Sequence, residues 1–289
     1  MIYNSNQVAE LIGVNVSTIK RWTDTGKLNC IKSAGGHRKF HLNHIKELLK
    51  SNKKMFSKVN ISKLVGNNKL ISSAVKEKKY NVLINACMKL LLSGDNNNFS
   101  SLCKSFILAG YELDLIFDEI INPTLDLIGK KWQNKEIAIS EEHMASVIIK
   151  KFLTSLNENL NIKNLNEVFC FTLYNDSHDL PLFMAENILN DLGFKVFNLG
   201  SNLPIYDFLE FLQKHNPSFI FLSIVYVEDI DKMNDELKLL SKESSKKNIK
   251  VYLKGAGTDK LFTDYSNFLI IENFKKLINE LEKNNESIS

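Results

Sequence analysis

The sequence contains no apolar run long enough to cross a membrane. Its longest run, Phe219 to Val227, lasts nine residues and is interrupted by Ser223, whereas a membrane-spanning helix needs about 20 apolar residues. The residues from Met1 to Ser5 also lack the basic stretch followed by an apolar one that marks a secretory signal. We therefore expect a cytoplasmic protein with no membrane partner.

Cysteine is scarce, and no two cysteines form a Cys-x-x-Cys pair. This spacing favours reduced, buried thiols over disulfides or a zinc site. The four residues are Cys30, Cys87, Cys103 and Cys170. We expect none of them to take part in the function.

Positive charge is concentrated at the amino-terminal end of the chain. The 289 residues suffice for two or three domains of common size. Residues 1–58 contain eleven Lys or Arg and three acidic residues, a net charge of +8, so the remainder of a chain of net charge +4 carries −4. DNA attracts such a basic segment and repels the acidic remainder. This amino-terminal segment is therefore the expected DNA contact.

Two short helices are predicted in this basic segment. The first runs from Asn6 to Ile12 with Ser5 as its cap, and Gly13 ends it; the second runs from about Ser17 to Thr25 with Ser17 as its cap. In a helix-turn-helix unit the second helix enters the major groove. The expected base and phosphate contacts on it are Thr18, Lys20 and Arg21. The alternative at this point is a generic helical hairpin.

The residues that follow favour DNA binding over a generic hairpin. Paired glycines, Gly35 and Gly36, predict a β-hairpin turn within residues 27–41. The return strand is basic, so we expect a wing that places side chains against the DNA backbone or minor groove. Those side chains are His37, Arg38 and Lys39. A further helix, Leu42 to Leu49, would close the domain.

These motifs, in this order, resemble the DNA-binding domain of the MerR family. The resemblance covers the amino-terminal domain almost completely, and the segments that carry it are Val8 to Val14, Ser17 to Trp22, Gly26 to Leu28 and Gly35 to Phe40. It implies a winged helix-turn-helix that binds double-stranded promoter DNA at a pseudo-palindromic site as a dimer. The long dimerisation helix and metal-binding cysteines of MerR itself are not evident in the sequence.

The remaining residues predict a multidomain chain. We expect the winged helix-turn-helix domain at 1–52, a polar linker at 53–68, a four-helix bundle at 69–162 and a doubly wound α/β domain at 163–289, Rossmann-like with a parallel sheet. The bundle is inferred from helical spacing with breaks at Gly94, Gly110 and Asn134. The predicted strands are Val168 to Leu173, Lys195 to Leu199, Phe219 to Val227, Val251 to Leu253 and Phe268 to Ile271.

The loop after the first predicted strand contains Asp176 and His178. Ligands of such sheets bind at the carboxyl ends of the strands. An imidazole at this edge could ligate a metal, with Asp176 holding its other ring nitrogen. Taken alone, these two residues favour a hydrogen bond on the surface over a metal site.

Three ordered motifs resemble those of cobalamin-binding domains. The loop is similar to the Asp-x-His-x-x-Gly motif, with Pro181 where the family has glycine. Ser223 to Val225 follows Pro181 at the interval where the second motif of the family lies. Gly255 and Gly257 stand near its later diglycine, which Ala256 interrupts, and Leu199, Gly200 and Pro204 match the turn after its second strand.

The cobalamin-binding resemblance implies roles for single residues. His178 would be the lower axial ligand of cobalt, and Asp176 would hold its other ring nitrogen. The further contacts implied for the cofactor are Ser223, Val225, Gly255 and Gly257.

A third resemblance lies in the predicted bundle. Trp132, Glu142 and His143 match a Trp-x9-Glu-His pattern seen in light-responsive CarH- and LitR-like regulators. It implies that these residues cover the adenosyl group of adenosylcobalamin, so that the protein is a repressor that holds DNA as a homodimer or homotetramer and releases it in light. The alternative for Trp132 is an ordinary core position, and for Glu142 and His143 the start of a capped helix.

Two other functions remain open on the sequence. The same sheet and His motif occur in corrinoid-carrying methyltransferase or mutase modules, but a fused DNA-binding domain argues against an enzyme. The second is a cofactor-independent regulator whose body serves oligomerisation or binds a protein antirepressor.

Overall fold

A computed structural model describes residues 2–156 and 166–286 of the chain. These form two compact units, residues 2–156 and residues 166–286. Among the described residues, no helix is both long and apolar enough to span a membrane.

The first unit opens with a small domain of three strands and three helices. Its antiparallel sheet has the order β1-β3-β2, and Ser33 accepts the turn hydrogen bond of Gly36 at the tip of the β2–β3 hairpin. The two helices and the hairpin expected from the sequence are present, and β1 is an addition. The elements are β1 (Ile2–Asn4), α1 (Ser5–Ile12), α2 (Val16–Asp24), β2 (Ile31–Lys32), β3 (Arg38–His41) and α3 (Leu42–Ser51).

The caps of α1 and α2 differ from those expected. Asn4 caps α1 because its Oδ1 accepts the N–H of Gln7 at 2.9 Å. In return, Oε1 of Gln7 accepts the N–H of Asn4. Asn15 caps α2 by accepting the N–H of Ser17. Ser5 and Ser17 are therefore inside their helices instead of capping them, because asparagine is as good a cap as serine.

The segment predicted as a linker is folded. Residues 53–68 contain a 3₁₀ helix, Lys53–Lys58, and the short helix α4, Ile61–Leu64. Met55, Val59 and Ile61 are buried. These apolar residues are too widely spaced to give a helical pattern, which is why the sequence suggested a linker. The segment joins the small domain to the helices that follow within one compact unit.

The rest of the first unit is helical. Five helices of nine or more residues appear where about four were expected, because Lys78 (φ 55°) ends α5 at a position with no glycine to signal a break. A π-helical turn, Phe117–Ile121, joins α8 to α9. The helices are α5 (Lys69–Glu77), α6 (Tyr80–Leu92), α7 (Asn96–Leu108), α8 (Leu113–Ile116), α9 (Asn122–Gln133) and α10 (Ile139–Leu156).

The second unit is a five-stranded parallel sheet with the order β5-β4-β6-β7-β8. All five predicted strands are present. This order is that of the flavodoxin-like doubly wound fold, in which the strand order reverses between β4 and β6 although all the strands run parallel. The strands are β4 (Glu167–Leu173), β5 (Lys195–Leu203), β6 (Phe219–Ser223), β7 (Lys250–Lys254) and β8 (Phe268–Ile270).

Two strand ends differ from prediction. β5 continues to Leu203 because an irregularity near Gly200 (φ 84°) shifts the register without ending the pairing. The turn expected at Gly200 therefore comes later, and Pro204 caps the next helix. β6 ends at Ser223 instead of Val227, because the N–H groups that follow at Val225 and Tyr226 bond to a side chain and not to a neighbouring strand.

Four helices accompany the sheet, and aromatic residues dominate the core between them and the strands. Phe171 of β4 and Phe208 of α12 have ring centroids 4.2 Å apart. The helices are α11 (Leu180–Asp191), α12 (Ile205–Gln213), α13 (Ile230–Lys246) and α14 (Phe274–Glu286). The core fixes β4 and β6 in register, which places the loops after them next to each other.

Candidate cofactor site and nucleic-acid interface

The loop after β4 holds an imidazole against a buried carboxylate. Oδ1 of Asp176 lies 2.8 Å from Nδ1 of His178 and accepts the backbone N–H of His178 at 3.1 Å. The Asp176 side chain is 1% exposed and that of His178 is 53% exposed. With Nδ1 donating its proton to the carboxylate, Nε2 is the nitrogen that carries the lone pair, as a metal ligand requires.

The second oxygen of Asp176 is held by the loop after β6. Oδ2 accepts the N–H groups of Val225 at 2.7 Å and Tyr226 at 3.2 Å. These bonds cross the point between β4 and β6 where ligands of this fold bind. The structure thus brings Asp176, His178 and Val225 together. Val225 contributes its backbone, a role that its side chain did not predict.

Ser223 is the last residue of β6 and is completely buried. Its Oγ has no hydrogen-bond partner among the described residues. A buried polar atom without a partner is unfavourable unless a ligand satisfies it. Ser223 is therefore a fitting ligand contact at the same sheet edge as His178.

Gly255 and Gly257 follow β7 and pack against the loop after β6. A Cβ at Gly255 (φ 133°) would overlap the carbonyl of Ile224, and one at Gly257 would lie 2.9 Å from side-chain atoms of Ile224 and Val227. The N–H of Gly257 donates to the Ile224 carbonyl at 3.0 Å. Both glycines are thus required by the packing of the two loops, which supports the shape of the site indirectly.

Pro181 is accommodated without disturbance of the loop. It occupies the first turn of α11, which Asp179 precedes as the N-cap. A proline is well tolerated there because its missing N–H has no partner in the helix. The departure from the glycine of the cobalamin-binding motif therefore leaves Asp176 and His178 in place.

The helical residues of the predicted site lie on α9 and α10 of the first unit. Trp132 is 44% exposed, so it is not an ordinary core residue. Oε2 of Glu142 lies 2.7 Å from Nδ1 of His143, and its Oε1 accepts the Ser146 hydroxyl. The His143 side chain is largely exposed. That these residues share a cofactor with His178 stays a prediction.

Helix α2 carries the residues expected to contact DNA. Lys20 and Arg21 are exposed, Thr18 is half-buried and Ile19 is buried in the core. Trp22 is half-buried beneath Lys27, whose Nζ lies 5.1 Å from the ring centroid. One face of the helix thus anchors it while the other is polar and basic.

The β2–β3 hairpin has a basic, exposed rim, but its residues are not equivalent. His37 and Lys39 are exposed, whereas an amino group of Arg38 lies 2.5 Å from Asp24 at the end of α2. Arg38 therefore ties the hairpin to α2, so its guanidinium is partly occupied within the protein. Sequence spacing gave no sign of this pairing.

Three of the four cysteines are buried. Cys87, Cys103 and Cys170 are buried free thiols and Cys30 is half-buried. Burial raises the pKa of the Cys103 and Cys170 thiols, which makes them poor nucleophiles and ligands. Among the described residues, no group of three or more His, Cys, Asp or Glu could hold a metal ion on its own.

Comparison with known families assigns three parts of the chain. A helix-turn-helix domain family matches residues 2–53, and two B12 binding domain families match residues 83–157 and 167–265. The chain therefore combines a helix-turn-helix domain with a two-part B12-binding region. The boundary between the two B12 matches lies close to that between the two compact units.

Curated relatives include a transcriptional repressor and corrinoid proteins. The chain is 25% identical over 140 residues to the HTH-type transcriptional repressor CarH of Myxococcus xanthus, covering 48% of this chain and 46% of that protein. It is 29% identical over 93 residues to dimethylamine corrinoid protein 1 of Methanosarcina acetivorans, covering 32% and 44%. The chain thus spans about half the length of these relatives. Domain content and similarity are consistent with a CarH-like regulator.

A solved structure supports the fold of the B12-binding region. The monomethylamine corrinoid protein of Methanosarcina barkeri matches 70% of this chain and 98% of that chain, with a TM-score of 0.58 and 19% identity. The likeness concerns the fold alone.

Proposed function

We propose that this protein is a MerR-type transcriptional regulator whose binding to DNA is controlled by a cobalamin. The observation that carries the proposal is the Asp176–His178 pair at the point where the strand order of the sheet reverses, with Nδ1 of the imidazole held by a buried carboxylate. A histidine fixed in this way is suited to bind cobalt through Nε2. The Oγ of Ser223, which has no hydrogen-bond partner among the described residues, would supply a second contact.

The proposed cofactor is adenosylcobalamin, which would supply a cobalt–carbon bond that light can break. His178 would hold the cobalt, and Ser223 and the loop of Val225 would hold another part of the cofactor. Trp132, Glu142 and His143 are proposed as further contacts to it. The Trp132 indole and the His143 imidazole are both exposed, so a ligand could reach them.

The DNA-binding residues are proposed to be Thr18, Lys20 and Arg21 of α2 with His37 and Lys39 of the hairpin. Repression would follow from avidity, since a homodimer or homotetramer holds several basic domains on one promoter. The net positive charge of the amino-terminal segment, residues 1–58, supports this arrangement.

The test is reconstitution in the dark. The purified protein is mixed with adenosylcobalamin, separated by gel filtration, and its spectrum and binding to duplex DNA are measured before and after illumination. We expect corrin absorbance to elute with the protein, to change on illumination, and DNA affinity to fall with it. His178→Ala is the matched variant, and it should elute with less cofactor. A wild-type protein that elutes without corrin absorbance would contradict the proposal.

Two alternatives are separated by the same material. If His178→Ala leaves DNA binding and oligomer size in the dark unchanged, the regulator works without a cofactor, and a protein antirepressor becomes the candidate partner. The other alternative is a carrier of methyl groups, which the similarity to corrinoid proteins favours. Methyl transfer from methylcobalamin-loaded protein to a thiol would support that function.

A further inference from the structure

Two asparagines with left-handed backbone conformations join the His178 loop to strand β5. Asn175 (φ 65°) belongs to the loop, and Asn202 (φ 61°) lies near the end of β5. The backbone N–H of Asn175 donates to Oδ1 of Asn202 at 2.7 Å. Asparagine adopts this conformation more readily than most residues, so both can hold it with little strain.

A second bond runs between the same two segments in the opposite direction. The backbone N–H of Asn202 donates to the carbonyl of Asp176 at 3.1 Å and lies 2.8 Å from the hydroxyl oxygen of Thr172. Thr172 itself donates to that carbonyl. Asn202 therefore holds two consecutive loop residues, Asn175 through its side chain and Asp176 through its backbone.

The loop is also fixed from the opposite side. Nδ2 of Asn175 donates to Glu228 at 2.5 Å, and the Asp176 carboxylate accepts N–H groups from the loop after β6. The residues just before His178 are thus tied to strand β5 on one side of β4 and to the loop after β6 on the other. Asn202 and Glu228 lie outside the residues that resemble cobalamin-binding motifs.

The geometry points to Asn202 as a positioning residue for His178. Its bonds fix Asn175 and Asp176 so that the imidazole meets the carboxylate through Nδ1 and keeps Nε2 directed elsewhere before a ligand arrives. A ligand-binding group held in advance loses less conformational entropy on binding, so Asn202 acts on affinity without touching the cofactor. The inference rests on the proposed function only in taking cobalt as the partner of Nε2.

Substitutions at position 202 separate the side chain from the backbone. Asn202→Gly keeps the positive φ but removes Oδ1, whereas Asn202→Asp keeps both the acceptor oxygen and tolerance of this conformation. Asn248→Gly is the matched control, because Asn248 (φ 57°) is an exposed asparagine of the same backbone type that precedes β7, away from the site.

The first measurement uses the protein without cofactor. Nitrogen NMR of the His178 imidazole reports which ring nitrogen carries the proton. We expect Nδ1–H in the wild type, in Asn202→Asp and in Asn248→Gly, and a mixture of the two tautomers in Asn202→Gly. An unchanged tautomer in Asn202→Gly overturns the inference and leaves the proposed cofactor untouched.

The second measurement is the affinity for adenosylcobalamin in the dark. Asn202→Gly should weaken this affinity about tenfold, in the range found for residues that orient metal ligands. It should also lower the fraction of bound cobalamin whose absorbance spectrum is typical of imidazole on cobalt. Asn202→Asp should restore both. An equal loss in Asn248→Gly overturns the inference, because the effect is then a general loss of stability. A tautomer change in a protein that binds no cobalamin supports the positioning role and contradicts the proposed function.

Discussion

The carboxylate of Asp176 accepts hydrogen bonds from His178 with one oxygen and from the loop after β6 with the other. The distances are 2.8 Å to Nδ1 of His178 and 2.7 Å to the N–H of Val225. One buried carboxylate thus orients the His178 imidazole and joins the two loops at the carboxyl edge of the sheet.

Asp176→Asn tests this double role. An asparagine side chain offers one acceptor oxygen where the carboxylate offers two, so either the Nδ1–H of the imidazole or the N–H groups of the Val225 loop lose their acceptor. We expect affinity for cobalamin to fall about 10- to 100-fold, and the free energy of unfolding to fall by about 1–3 kcal/mol because a buried donor is left unsatisfied. Spectroscopic titration and urea unfolding measure the two. Asp264→Asn, at an exposed acid of the same unit, should change neither; equal binding by Asp176→Asn and wild type would refute the orienting role.

Ser223→Ala and Ser241→Ala form a matched pair. Both serines are buried in the same unit, but the Ser223 hydroxyl has no partner among the described residues while that of Ser241 donates to Asn267 at 2.8 Å. Ser223→Ala should therefore leave unfolding without cofactor nearly unchanged and weaken cobalamin binding about 2- to 10-fold, the value of one neutral hydrogen bond. Ser241→Ala should show the opposite pattern. A stability loss without an affinity loss in Ser223→Ala would count against the ligand contact.

Lys39→Ala tests the hairpin as a phosphate contact. Lys39 is exposed, whereas Arg38 is bonded to Asp24. On a duplex of arbitrary sequence, Lys39→Ala should weaken binding and reduce the slope of log affinity against log salt by about 0.9, the value for one lost phosphate contact. Lys69→Ala, at an exposed residue of α5, should leave the slope unchanged. An unchanged slope in Lys39→Ala would remove the hairpin from the interface.

The elements with strong local patterns could be predicted from the sequence. β6 is a continuous apolar run, and the helix-turn-helix combines a regular apolar spacing with Gly13 at the break. Both patterns record burial, which depends on residue type and period.

The site itself could be predicted only in part. Asp176 and His178 follow from their position after a predicted strand, and Ser223 was indicated by resemblance alone. The bonds that hold Asp176 come from backbone N–H groups of Val225 and Tyr226, which any residue carries. Likewise, nothing in Lys78 marks its positive φ. Such contacts depend on the final chain path and leave no pattern in residue type.

Gly110→Ala tests the contact between the segment after α3 and the helices. Gly110 (φ 89°) follows α7, and a Cβ there would lie 3.2 Å from the ring of Phe56 in the 3₁₀ helix. Gly66 has a similar φ of 62° with open space around it, so Gly66→Ala reports the backbone strain alone, about 1–2 kcal/mol. We expect Gly110→Ala to lower the free energy of unfolding, measured with urea, by about 1 kcal/mol more than Gly66→Ala does, because overpacking against Phe56 adds to the backbone strain. Adding Phe56→Ala to Gly110→Ala should show coupling between the two sites; strictly additive effects would mean that the two segments are not in contact in solution.

Mild acid should destabilise the DNA-binding domain through His44. Burial, and after it the neighbouring His41, lower the pKa of His44, while Glu47 opposes the shift. Nδ1 of His44 also accepts the N–H of His41 at 3.3 Å, which requires the neutral ring. As the pH falls, the unfolded chain binds a proton at His44 before the folded protein does. The contribution of neutral His44 to the free energy of unfolding is therefore fully present above about pH 6.5 and is lost as the pH falls through the lowered pKa of the folded state. The measurement is the Tm at neutral and mildly acidic pH, which should depend less on pH in His44→Gln than in His37→Gln. His37→Gln is the control because it alters an exposed imidazole of the hairpin. Identical pH dependence in the two variants would exclude His44 as the group responsible.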